Sequence, residues 1–353
     1  MRAVIAPDSF GDTLTSVQAA EAIAAGWRGR RPDDELILIP QSDGGPGFVD
    51  VLAERFGEVR TETVDGPLGD PVSARWLFDA GRDDSATAYI ECAQACGLHQ
   101  LGGPPTPSTA LRADTRGVGR LVDAALRSGA GSVVVGLGGS GTTDGGRGLI
   151  DALGGLVVAT ERLRGIRLIA ASDVENPLLG PEGAAAVFGP QKGADPAAVA
   201  ELERRLTAWS GELAAVAGRD VAGDPGAGAA GGLGAALLAL GGRRVSGATV
   251  VADATGQQAA IAGADLLVTG EGRFDSQTLR GKVVASLTDT ARRHGVPVIV
   301  MAGQVTLDPG TIRSAGIAAA YSLVEAAGSV ERAMSDARGQ LIAVAAVAAE
   351  RSD

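Results

Sequence analysis

Apolar and polar positions along this chain alternate in two rhythms. Short apolar runs, at Ala3-Val4-Ile5, at 36–40 and at Ile166–Ala171, read as buried strands. Elsewhere apolar residues recur every three or four positions. Val17, Ala20, Ile23, Ala24 and Trp27 do so, predicting a helix that Ser16 would cap. A helix is also predicted at about 48–56. After residue 265 the alternation is regular, with strands at 266–268, 296–301 and 317–322 and helices at about 280–294, 308–314 and 327–350. Repeated strand–helix succession predicts an α/β fold with an open, doubly wound parallel sheet.

The rhythm breaks between about 60 and 112. Val72–Phe78 and Ala86–Glu91 are separated by turns at 66–69 and 81–85, a hairpin-like texture that predicts an antiparallel or mixed sheet in a second domain. Gly102 to Pro107 reads as a rigid connector. Helical spacing returns at 117–128, at 197–217 (Leu202, Leu206, Trp209 and Leu213) and at about 233–240.

The stretch from Val133 to Gly148 carries the strongest chemical signal. Three β-branched residues announce a strand, Gly136, Gly138, Gly139 and Gly141 make a tight turn, and Thr142-Thr143-Asp144 precede a predicted helix. Backbone N–H groups can converge on an anion at such a turn. Asp43-Gly44-Gly45-x-Gly47 repeats Asp144-Gly145-Gly146-x-Gly148 in the same strand–turn–helix context. Carboxylates on two such turns suit a metal bound to phosphates.

A third cluster follows the strand at 266–268. Glu271, Arg273, Asp275 and Lys282 fall within a dozen residues, the mixture of acids and cations that phosphoryl transfer uses. No Walker A motif, protein-kinase signature or G-x-S-x-G elbow is present. Gly136-x-Gly138-x-x-Gly141, with Glu161 twenty residues beyond at the end of Leu156-Val157-Val158, keeps a nicotinamide dehydrogenase as a rival reading. Gly226-x-Gly228-x-x-Gly231 follows a helix and loop instead, which fits helix packing or a mobile loop.

Bulk properties narrow the field. At 353 residues the chain is long enough for two domains, and its 53 glycines fit many tight turns. Only 3% aromatic content and a net charge of −11 argue against nucleic acid and an anionic membrane as partners. An anionic small molecule would need arginines and lysines concentrated locally. No signal peptide opens the chain and no apolar run reaches membrane-spanning length, which predicts a cytoplasmic protein. Cys92 and Cys96, with His99 nearby, read as buried reduced thiols rather than a zinc site.

Together these motifs resemble the bacterial glycerate kinases of the first class. The resemblance rests on residues 5–10, 43–45, 138–140, 144–146, 173 with 176–180, 186–194, 228–234 and 269–273, with Asp275, Gln277, Thr278, Gly281 and Lys282. It runs in order from about residue 3 to 305.

The resemblance implies phosphorylation of D-glycerate by ATP with Mg²⁺, to 2-phosphoglycerate in most members. It also implies a flavodoxin-like parallel-sheet domain and a mixed-sheet α/β domain around a cleft. Here they are expected at 1–60, 113–155 and 255–353, and at 61–112 and 156–254. On this reading Asp43 or Asp144 accepts the hydroxyl proton, with Arg273 and Asp275 also catalytic. Mg²⁺ is expected among Asp43, Asp144, Glu271 and Asp275. Asp8, Ser9, Gly138, Gly139, Ser140, Lys192, Gly231, Glu271 and Lys282 are expected to bind nucleotide or substrate.

The pattern departs from the family's at Gly11, in place of a lysine followed here by Asp12, and at Pro46, Phe48, Val118 and Thr143. An impaired relative that binds a nucleotide or hydroxy acid as a sensor is therefore the second reading. The expected partners are ATP and a hydroxy acid. A homodimer and the position phosphorylated are left open.

Overall fold

A computed structural model of the protein describes all residues except 12, 82–85, 277, 280–282 and 353. The chain divides into two compact units, Met1–Ser42 with Val251–Asp353, and Asp43–Val250.

The first unit is built on five parallel strands in the order β11-β10-β9-β1-β2. These are β1 (Arg2–Pro7), β2 (Glu35–Leu38), β9 (Leu266–Phe274), β10 (Val298–Val305) and β11 (Ala319–Ser322). Ala3 to Ala6 are fully buried because helices cover both faces of the sheet. The helix Ser16–Arg28 packs Ile23 and Trp27 into one layer with Leu341 and Ala345 of the helix Ala337–Glu350. Thr15, one residue earlier than expected, caps the first helix by accepting from the Gln18 N–H at 3.2 Å, while the Gln18 side chain accepts from Thr15 N. The helix expected at 327–350 is two, Val330–Ser335 and Ala337–Glu350, because Asp336 leaves helical geometry at φ −136° and caps the second through Gly339 N.

The second unit carries a six-stranded mixed sheet in sequence order: β3 (Glu58–Asp65), β4 (Pro71–Asp79), β5 (Thr87–Glu91), β6 (Ser132–Gly136), β7 (Arg167–Ala171) and β8 (Arg243–Val245). β3, β4 and β5 pair antiparallel and β5 to β8 pair parallel. The hairpin texture thus yields the mixed sheet expected from it, with β3 added.

β6 is the main departure from the expected domain assignment, which grouped 113–155 and 43–60 with the N-terminal strand. All five of its residues are buried, so it needs a partner on each side. It finds them in β5, reached through the crossover helix Arg116–Arg127, and in β7. Leu156-Val157-Val158 form no strand. They open the helix Leu156–Arg162, with Val157 exposed to water, so Glu161 sits on a helix. The strand that follows β6 in a parallel pair is β7 instead, so Glu161, on a helix before it, does not stand at a strand end where the fingerprint places its ribose-binding acid.

Candidate active site

In the first unit β1 and β9 are adjacent, and the order of strands reverses between them, since the chain passes from β1 outward to β2 and from β9 outward to β10 and β11. Ligands of open α/β sheets bind at the carboxyl ends of the strands flanking such a reversal. A cavity of about 460 Å³ opens there.

Its walls include Asp8, Ser9 and Gly11 after β1, Glu271 and Arg273 on β9, and Gln304 on β10. Asp8 N donates to Gly270 O at 2.8 Å, tying the first turn to β9, and Asp8 Oδ1 accepts from Ser9 N at 2.7 Å. β9 runs six residues past the predicted strand, so Glu271 and Arg273 lie in register opposite Ala302 and Gln304 rather than in a loop. Two residues apart on one strand, they share a face.

Arg273 meets Asp275 at 3.3 Å, an exposed pair worth little to stability and open to a ligand. Thr278, fully buried, donates its N–H to Asp275 O at 3.1 Å and accepts from Asp275 N at 3.3 Å, holding the acid in a closed turn. Lys282 and Gln277 lie outside the described residues. Among the described lining residues, Arg273 is the one cation.

The second unit holds both aspartate–glycine turns, and they share one geometry. Asp43 Oδ1 accepts from Gly45 N at 3.0 Å and Asp144 Oδ1 accepts from Gly146 N at 3.1 Å. The first turn docks on the end of β6. Gly138 N donates to Gly44 O at 3.0 Å, and a Cβ on Gly138 would stand 2.3 Å from Gly45 Cα. Beyond this likeness the turns differ. Asp144 Oδ2 accepts from Thr115 N at 2.9 Å, from the Thr115 hydroxyl at 2.8 Å and from Gly148 N at 2.9 Å. In the first turn the equivalent N–H, of Gly47, goes instead to Glu91 Oε2 at 3.0 Å. Asp43 is exposed and, among the described residues, carries a lighter load of donors than Asp144.

The family profile described as "Glycerate kinase family" matches residues 3–161 and 156–352. The chain belongs to the glycerate kinase family. A Mycobacterium bovis protein is 59% identical to it over 351 residues, 99% of this chain and 91% of that protein. The Escherichia coli protein named glycerate 2-kinase is 38% identical, over 94% and 93% of the two chains. A crystal structure of a protein titled putative glycerate kinase 2 from Salmonella typhimurium superposes with a TM-score of 0.81 at 35% identity, covering 99% and 98%. The chain is thus an enzyme, a kinase, with the two-sheet α/β fold expected.

In this glycerate kinase family member, residues expected to touch ligand are placed unequally. Asp8, Ser9, Glu271 and Arg273 line one cavity, with Asp275 paired to its arginine. Ser140 and Lys192 meet each other: Lys192 is buried, with Nζ 2.9 Å from the Ser140 hydroxyl and 2.6 Å from Thr142 O, so it fastens the glycine turn. Burial pulls its amine down to about 8, opposed by the nearby Cys96, Cys92 and Asp144. Gly138 N and Gly141 N already donate to Gly44 O and Cys96 O. Gly139 has φ +73° and sits against Pro46. Gly231, at φ +66°, packs on the chain at Thr142–Thr143 and accepts from Gly145 N at 3.0 Å.

Cys92 and Cys96 are free and buried, as expected. Among the described residues no three His, Cys, Asp or Glu side chains are gathered as a metal cluster, and no helix is long and apolar enough to cross a membrane.

Glu91 was invisible to sequence reasoning. It is buried, and its Oε2 also faces Val49 N at 3.4 Å, so it holds the first turn and the start of the following helix. Desolvation raises its carboxyl to about 7, against the N–H groups that favour the charge. A lone acid ending a β-rich run was its only signal.

Proposed function

We propose that the chain transfers the γ-phosphoryl group of ATP to a hydroxyl of D-glycerate, with 2-phosphoglycerate as product. The observation that carries the reading is the contrast between the two matched turns. Among the described residues Asp144 meets four donors with its two oxygens, whereas Asp43 meets one with Oδ1 and is exposed. A carboxylate saturated with N–H and O–H donors is a poor proton acceptor, so Asp43 takes the base role and Asp144 the scaffolding role.

In the first unit, Arg273 would bear on a phosphate or on the carboxylate of glycerate, since guanidinium matches both as a fork. Asp8 N and Asp8 Oδ1 are engaged locally, which sets the turn that brings Ser9 to the cavity wall.

Mg²⁺ takes oxygen ligands, keeps several waters and needs only one or two carboxylates beside substrate phosphates. Glu271 and Asp275 are half-buried carboxylates of that kind and would hold it. Bound there, the cation would offset phosphate charge.

The decisive experiment is an ADP-release assay with D-glycerate, the product resolved by ³¹P NMR into 2- or 3-phosphoglycerate. ATP binding without release of ADP would overturn the reading in favour of a non-turning binder.

A further inference from the structure

A second cavity, of about 450 Å³, lies wholly within the second unit between the helices Pro107–Arg112 and Pro196–Ala217 and the turn at Thr143–Asp144. Five arginines line it in a chain whose net charge is −11. Three are already engaged with acids: Arg116 lies 3.9 Å from Asp114, and Arg204 and Arg205 reach Glu201 at 2.8 and 2.7 Å.

Arg112 and Arg147 have no carboxylate partner among the described residues. Arg147 is held in direction by stacking over Trp209, 4.8 Å from the ring centroid, while Trp209 Nε1 donates to Gly145 O at 2.9 Å. Thr143, only 2% exposed, lines the same cavity, and its hydroxyl is buried with no hydrogen-bond partner among the described residues. A hydroxyl is seldom left so unless something outside the chain completes it. Asp144 keeps its negative charge, but both its oxygens are occupied by four donors. Asp114, half-buried 3.9 Å from Arg116, and Asp151, exposed, are the other acids of the lining that an anionic ligand must avoid.

We propose that this cavity binds the phosphate or carboxylate group of a small organic anion through Arg112, Arg147 and the Thr143 hydroxyl. Its size exceeds what a bare ion fills and falls in the range of small-molecule sites. The site does not depend on the phosphotransfer reading, because none of its three contacts is assigned to that chemistry.

The test is calorimetric titration of the full chain with inorganic phosphate and with glycerol 3-phosphate, using glycerol as the neutral control. Phosphate-bearing probes bind and glycerol does not. Arg112→Met and Arg147→Met each weaken binding about tenfold, the loss of one charge-assisted contact. Thr143→Val weakens it several-fold yet leaves the melting temperature unchanged or higher, since it removes a buried unpartnered hydroxyl. No binding of either phosphate probe at about 10 mM, or equal affinity in wild type, Arg112→Met and Thr143→Val, would overturn the site. The last two variants keep the test valid if Arg147→Met fails to fold.

Discussion

Lys192 Nζ lies 2.9 Å from the Ser140 hydroxyl, deep in the second unit, so a cation that looks like a phosphate ligand in the sequence is a clamp on the turn after β6. Burial depresses its pKa from 10.5 to about 8. Between those values the unfolded chain still holds the proton and the folded chain does not, so unfolding takes up a proton and stability rises with pH. Urea denaturation of wild type and Lys192→Met should show wild type gaining on the variant from about pH 8 towards 10.5. A constant gap would mean that the amine is solvated.

Glu91 works in the opposite sense. Its folded pKa is raised from 4.5 to about 7, so the folded state holds the proton that the unfolded state has lost. The contribution is complete below pH 4.5 and disappears as pH rises through 7. Glu91→Gln keeps a carbonyl for Gly47 N but cannot ionise. Relative to it, wild type should lose stability across that window, read from paired denaturation curves.

The two aspartates should part company on substitution. Asp144→Asn places an amide N–H₂ against backbone donors and should cost about 1–3 kcal/mol of unfolding free energy. Asp43→Asn should leave the melting temperature near wild type and lower kcat by about 10²-fold or more, as loss of a general base does. Unchanged turnover in Asp43→Asn would move the base elsewhere.

Gly231 tests close approach rather than nucleotide contact. A Cβ there would stand 1.9 Å from Thr142 O, at φ +66°, so Gly231→Ala should destabilise by about 3 kcal/mol. Gly211 is the control: within the helix Pro196–Ala217, its Cβ position meets nothing within 4 Å, and Gly211→Ala should stabilise by about 0.5–1 kcal/mol. Thermal melts separate the two outcomes.

Much of this protein could be read from its chain alone. Apolar runs and helical spacing foretold both sheets and most helices, because burying one face of an element needs only local periodicity. The repeat of Asp43-Gly44-Gly45 in Asp144-Gly145-Gly146 likewise foretold two like turns, since an Asx turn is made within four residues. What remained hidden depends on partners far along the chain. β6 joined the second sheet because β5 and β7 cover both its edges. Asp144 met Thr115, Lys192 met Ser140 and Glu91 met Gly47 across separations of 29, 52 and 44 residues. Whether a charged side chain faces a ligand or satisfies its own backbone is set by those distant donors and acceptors, which no local pattern encodes.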